Sequence, residues 1–243
     1  MIQLESCETQ FGTITVFRHM TSGATIYDQD GSSQSEVDRA GISLAPYIHA
    51  LYGLLDQAGC RAVLMIGCGG GTLASLLART GREVAIVDPN WDSFRLARKY
   101  FQLPADVVCH HADGKAYLQA TTEQFDAIVL DAYHGPHIPA HLRTQTFMEL
   151  VSRRLKRGGI VLTNEHVADD SDPEIDRIAE AASNVWRDVR ILDAPGYFNR
   201  NAIVAAGNIA YLRPPELRIV PAERADDIAF ELSTMGFRAP KLG

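Results

Sequence analysis

Ala62-Val63-Leu64-Met65-Ile66-Gly67-Cys68-Gly69-Gly70-Gly71-Thr72 decides the fold. Its first five residues are an unbroken apolar run, the pattern of a strand buried on both faces. The glycines that follow let the backbone turn tightly and approach a ligand closely. The spacing predicts a helix over 73–78, whose first N–H groups are free for a ligand. The next apolar run, 83–87, ends at Asp88, which stands 19 residues after Gly69. A carboxylate there can accept hydrogen bonds from both hydroxyls of a ribose. A nicotinamide dinucleotide site also asks for a Gly-rich turn and a later acid. Thr72, however, occupies the place of the third glycine of G-x-G-x-x-G.

Working outward, strands and helices alternate. Strands are predicted over 62–66, 83–87, 106–109, 125–130, 159–163 and 201–205. Helices are predicted over 91–101, 146–156 (stopped by Gly158-Gly159) and 174–186. Such alternation implies an α/β, Rossmann-like fold with a doubly wound, mostly parallel sheet, which binds ligands at the carboxyl ends of its strands. The chain before it reads differently. Residues 12–18 and 24–28 are short strands, and Gly23 and Asp30-Gly31 mark turns. A helix is predicted over 44–57. The expected organisation is a small antiparallel β-hairpin domain (1–45), the Rossmann-like domain (46–212) and a Pro-punctuated C-terminal extension (213–243).

The chain has 243 residues, 46% of them hydrophobic, and a formal net charge of −7. That length supports one large domain with an appendage. Nucleic acid is not an expected partner, because phosphate contacts need clustered Lys and Arg. A cationic small molecule fits an acidic pocket better. Cys7, Cys60, Cys68 and Cys109 are widely spaced and make no C-x-x-C pair, as expected of reduced thiols in the cytoplasm. The sequence MIQLESCETQ carries no signal-peptide pattern, and no apolar stretch is long enough for a membrane span.

Two further acids narrow the ligand. Asp113, in His111-Ala-Asp113-Gly114, follows the third strand and can meet an adenine amino group. Asp131, in Leu130-Asp131-Ala132-Tyr133, follows the fourth. Acids in series at strand ends fit an S-adenosylmethionine transferase better than a dehydrogenase.

Several stretches, in order, resemble the spermidine synthase family of aminopropyltransferases. They are Phe11–Arg18, Asp30-Gly31 with Gln34, Ile66–Gly71, Ala112-Asp113-Gly114, Leu130-Asp131 followed by Gly135-Pro136, Asn164-Glu165 where a Gln is usual, and Ala194-Pro195-Gly196-Tyr197. The likeness spans residues 10 to 206. It implies an N-terminal β-hairpin domain before a class I methyltransferase-like fold. The implied activity moves an aminopropyl group from decarboxylated S-adenosylmethionine to an amine such as putrescine, without a metal. Gln34, Gly67, Gly69, Gly71 and Asp88 would then hold the ribose side of the donor, and Asp113 with Gly114 the adenine. Asp131 would be the acid/base, and Tyr47 and Tyr197 would line the amine channel. A homodimer is implied as well.

The departures concern the donor's tail and the amine. Gly70 stands where the family has an Asp that binds the donor's ammonium, which moves the expectation toward intact S-adenosylmethionine. His134 replaces the second acid of the family's D-x-x-D, and is a candidate base with an ordinary pKa near 6.5. His134, His137 and His141 lie in a Gly/Pro loop, so metal-ligand spacing cannot be invoked. Two other functions stay open: an S-adenosylmethionine-dependent methyltransferase on a small molecule, and a non-catalytic adenosyl-nucleoside-binding protein.

Overall fold

The computed structural model describes residues 1–133 and 138–241. Four strands open the chain: β1 (Ile2–Thr9), β2 (Gly12–Arg18), β3 (Thr25–Gln29) and β4 (Ser32–Val37). They pair in sequence order as an antiparallel sheet. Asp30 and Gly31, both at positive φ, form the two-residue turn from β3 to β4. An Asp-Gly pair suits such a turn because its backbone twist matches that of the strands. Alternation then buries Ile14, Val16, Tyr27 and Val37 on one face, against Leu96 and Phe101. β1 and β4 are additions to the sequence reading. Their residues are mostly polar, so no apolar period announces them, and pairing with β2 and β3 defines them.

After α1 (Pro46–Gln57) comes the alternating part: β5 (Ala62–Ile66), α2 (Thr72–Arg79), β6 (Glu83–Asp88), α3 (Trp91–Tyr100), β7 (Val108–His111), α4 (Gly114–Ala120), β8 (Phe125–Leu130), α5 (Gln145–Arg154) and β9 (Leu155–Val167). These five strands pair in parallel. The chain continues through α6 (Glu174–Ser183), β10 (Val189–Asp193), β11 (Arg200–Gly207), α7 (Ala225–Thr234) and β12 (Gly236–Arg238). The last three strands extend the sheet antiparallel, giving the order β12-β10-β11-β9-β8-β5-β6-β7. The expected mostly parallel sheet with a small antiparallel one before it is present. On β5, Leu64 and Ile66 join the apolar layer that includes Phe147 and Ile178, while Met65 joins the opposite layer with Leu51 and Leu73.

Some boundaries differ. The third parallel strand lies at 108–111 rather than 106–109, because pairing with Ala85–Asp88 recruits His110 and His111. The helix expected over 146–156 ends at Arg154. Leu155 is buried and already paired with Phe125, and Lys156 to Gly159 pass through an irregularity of the β8/β9 ladder. The glycines therefore shape a strand instead of capping a helix. The stretch after Leu212 returns to the main sheet: Arg238 reaches Asp176 and Asp193, and Ala222 N–H donates to Asp38. Among the described residues, no helix is long and apolar enough to cross a membrane.

The sheet order sets the site. β5 leads outward to β6 and β7, and the chain then returns to β8 on the other side of β5. Ligands of open α/β sheets bind where the strand order reverses in this way.

Candidate active site

Gly67 follows β5 with φ +103°, and a Cβ there would lie 2.2 Å from the Asp131 carbonyl oxygen. Glycine thus lets the ends of β5 and β8 touch, and the Asp131 N–H donates to the Ile66 carbonyl at 2.9 Å. Beside this junction a cavity of about 600 Å³ opens. It gathers Gln34, Gly67, Gly69, Asp88, Asp113, Gly114, Asp131 and Tyr47. Gly71 lies behind the wall as the N-cap of α2. Tyr197 is elsewhere, on an adjoining cavity of about 420 Å³ that has Tyr47 as a wall in common. His134 and His137 lie outside the described residues, so the structure says nothing of the proposed histidine base.

Gly70 packs between the two sheets. Its N–H donates to the Ser35 hydroxyl at 3.0 Å. A Cβ at Gly70 would meet Phe101 Cδ1 at 2.9 Å and Ser35 Cβ at 3.0 Å. The space an acidic side chain would need at this loop position is therefore filled.

Asp88 ends β6 with one oxygen accepting from the Cys68 N–H (2.8 Å) and the other from the Asn90 N–H (2.7 Å). Burial pushes its carboxyl up to about 6, against the pull of those two donors. Each oxygen keeps a lone pair for a further donor. Asp113 is the N-cap of α4, accepting from the Ala116 N–H at 2.9 Å, and its second oxygen pairs with His141 Nε2 at 2.8 Å. Burial raises its pKa, but the Ala116 N–H and His141 outweigh this and hold it below the ordinary carboxylate range.

Asp131 is the centre of a hydrogen-bonded group. Asn164 Nδ2 donates to it at 2.8 Å, and the Tyr47 hydroxyl lies close enough to favour its ionised form. Asn164 is itself held by Asn201 Nδ2 (3.1 Å) and receives the Tyr133 hydroxyl on its carbonyl (3.1 Å). Burial pushes the Asp131 carboxyl up to about 6, Asn164 and Tyr47 notwithstanding. Burial, and then the charge of Asp131, hold the Tyr47 hydroxyl well above its ordinary pKa, so it stays a donor. Pro46, in the first turn of α1, fixes the backbone that presents Tyr47.

Several cavity residues were not anticipated. Tyr27 pairs with Ser93 at 3.0 Å, and Phe11, Asn90, Tyr133 and His141 add to the wall. Strand alternation could have singled out Tyr27, which shares a face with Thr25 and Gln29. Asn164 interrupts an apolar strand, which is also a visible signal. Its neighbour Glu165, fully buried, points to the other side, where burial pushes its carboxyl up to about 7 against the nearby Arg143. Among the described residues no three His, Cys, Asp or Glu side chains converge as metal ligands.

The arrangement lines one cavity with three strand-end carboxylates, Asp88, Asp113 and Asp131, the last of them beside a phenol and an amide donor.

The chain is similar to known proteins in sequence and in fold. A family described as a methyltransferase domain matches residues 63–159. A probable polyamine aminopropyl transferase of Bifidobacterium longum is 30% identical over 152 residues, covering 60% of this chain. The chain spans only about a third of that relative's length (34%). A polyamine aminopropyltransferase of Chromobacterium violaceum is 28% identical over 204 residues, covering 81% of this chain and 75% of the relative. Among solved structures, a probable spermidine synthase from Corynebacterium glutamicum superposes with a TM-score of 0.77 at 18% identity, covering 97% of this chain and 90% of that one.

Proposed function

We propose that this chain, a divergent member of the spermidine synthase family, transfers an aminopropyl group from decarboxylated S-adenosylmethionine to a small amine. The observation that carries the reading is the Asp131–Tyr47–Asn164 group, which opens on the same cavity as Asp88. Asp88 accepts the ribose hydroxyls, Gln34 and Gly69 flank them, and Asp113 with Gly114 borders the adenine. The chain would work in the cytoplasm as a homodimer, with neither nucleic acid nor membrane as partner.

The reaction is a direct displacement. The amine nitrogen attacks the methylene carbon next to the sulfonium. The N–C bond forms as the S–C bond breaks, and the departing electron pair neutralises sulfur to leave 5′-methylthioadenosine. The nitrogen's surplus proton passes to Asp131 and from there to water. An attacking amine must be neutral, although its ordinary pKa is near 10. A carboxylate raised to about 6 is ionised at neutral pH yet is a better proton acceptor than an ordinary aspartate. Tyr47 and Asn164 fix its direction, and positioning supplies much of the rate.

The test is incubation with decarboxylated S-adenosylmethionine and putrescine, following methylthioadenosine and the longer polyamine. Asp131→Asn should lower kcat by about 10²- to 10⁴-fold while binding of methylthioadenosine persists. Inertness toward this donor, with intact S-adenosylmethionine consumed to a methylated product, would overturn the reading.

A further inference from the structure

Three neighbouring strands, β11, β9 and β8, carry a row of polar side chains across one end of the sheet. Asn201, the second residue of β11, is paired with His166 of β9, and Asn164 stands two places along β9 from that partner. Alternation puts Asn201 and Asn164 on one face as diagonal neighbours. Leu130, the last residue of β8, is paired with Thr163 of β9. Asp131 and Asn164, one step further along each strand, therefore meet as well.

Asparagine is depleted in strands, and a buried one needs partners for its amide. Asn164 is buried, and its amide is engaged at both ends. Its Nδ2 donates to Asp131 at 2.8 Å, and its Oδ1 accepts from Asn201 Nδ2 at 3.1 Å. The two ends are not equivalent, because the oxygen can only accept. The donor from Asn201 holds that oxygen on the β11 side and leaves the N–H end for Asp131. Turned over, the amide would aim its oxygen at the carboxylate, and only a protonated Asp131 could meet it. The titratable side chains facing Asp131 among the described residues are Tyr47 of α1 and Tyr133 of its own loop. Burial holds both hydroxyls well above their ordinary pKa, so neither changes charge as Asp131 titrates. β9 offers the neutral amide, and the loop after β5 offers the backbone of Gly67.

We infer that Asn201 is a positioning residue acting through Asn164: by holding the amide oxygen it keeps an N–H on Asp131 and so favours the ionised carboxylate that accepts the proton. The catalytic consequence rests on the amine-transfer reading, whereas the coupling of Asn201 to Asp131 can be measured without turnover. In Asn201→Leu, a change of similar volume, the Asn164 oxygen loses its partner inside the sheet. The amide then samples both orientations, and ionised Asp131 loses its donor for part of the time.

The test is a pH titration of the Asp131 side-chain carboxyl carbon by NMR in aspartate-labelled protein, the signal being assigned by its absence from Asp131→Asn. The parent should titrate at about 6. Asn201→Leu should titrate about half to one pH unit higher. Asn201→Asp tests the same point independently: a carboxylate there accepts only, recruits the N–H end of Asn164 and should raise Asp131 further. Asn201→Leu added to Asn164→Leu should produce no extra shift, because the route runs through the amide. Methylthioadenosine affinity at pH 8 reports that each variant is folded. A parent-like titration in both Asn201 variants overturns the inference, as does a leucine shift that persists without Asn164. In turnover, the acid limb of kcat/KM should move with the titration, a loss of about two- to fivefold at pH 6 for Asn201→Leu. A shifted titration with an unmoved acid limb overturns the catalytic part. A shifted titration with no transfer from decarboxylated donor in any protein, the parent included, sinks the functional reading and leaves the coupling standing.

Discussion

Gly70→Ala isolates the contact that closes the glycine loop. An alanine Cβ would lie 2.9 Å from Phe101 Cδ1, 3.0 Å from Ser35 Cβ and 3.2 Å from Phe101 Cε1. Comfortable carbon contacts lie at about 3.5–4.0 Å. The ring cannot swing aside, since Phe101 is fully buried and meets Tyr27 edge-on at 6.1 Å between centroids. Overpacking of this kind costs about 1–3 kcal/mol. Gly70 is not among the positive-φ glycines, so alanine also brings an opposing gain of about 0.4–1 kcal/mol from the stiffer unfolded chain. The net loss should be about 0–2.6 kcal/mol, and each kcal/mol lowers the melting temperature of a protein this size by about 2–4 °C. Thermal and urea unfolding of the parent, Gly70→Ala, Phe101→Leu and the double variant measure it. Leucine lacks the Cε1 atom and can rotate its tetrahedral δ carbons away from the added methyl, so the alanine penalty should shrink in that background, with an interaction energy of at least about 0.5 kcal/mol. A Gly70→Ala protein more stable than the parent would refute the reasoning, as would a penalty unchanged by Phe101→Leu.

Two other expectations concern buried acids. Glu165 has its carboxyl raised from 4.5 to about 7 by burial, so the native protein binds that proton more tightly than the unfolded chain does. The destabilisation is absent below pH 4.5, grows as pH rises, and is complete above 7, reaching at most about 3 kcal/mol. Glu165→Gln should therefore be the more stable protein at pH 8, with the two urea midpoints converging toward pH 4.5; parallel curves would disprove this. On the proposed reading Asp88 accepts from ribose hydroxyls best when ionised, so its pKa of about 6 predicts methylthioadenosine affinity that rises between pH 5 and 7. Asp88→Asn should weaken that affinity about 10- to 100-fold and flatten its pH dependence in calorimetry.

The parallel core was legible because its strands are apolar runs and the glycines punctuate them. Asp88 and Asp131 were found by position alone, at the ends of such runs. β1, β4, β10 and β12 were not: edge pairing imposes β1, β4 and β12 on residues with no apolar period, and the short β10 is defined by its antiparallel pairing with β11. α4 escaped notice because seven residues carry too little pattern, although its cap, Asp113, had been singled out for a different duty. Gly158-Gly159 misled, because the same pair ends a helix or bends a strand according to what lies beside it. Which candidate residues share a chamber could not be read from spacing. Tyr197 was grouped with Asp131, whereas it lines the adjoining cavity, and Asn164 went unassigned although it holds the carboxylate directly.

The hydrogen bond from Gly70 to Ser35 has a consequence for recombination. The four N-terminal strands look like a detachable module, yet they supply a hydroxyl to the loop and a cover for Phe101. Exchanging that module for an unrelated one would leave the Gly70 amide without its acceptor and the ring open to water. A chimera would keep its reaction chamber only if the incoming piece offered a small hydroxyl at the same height and an apolar face beneath it. The two sheets are thus inherited as a mortise and its tenon, and sequence drift in one is answerable to the other.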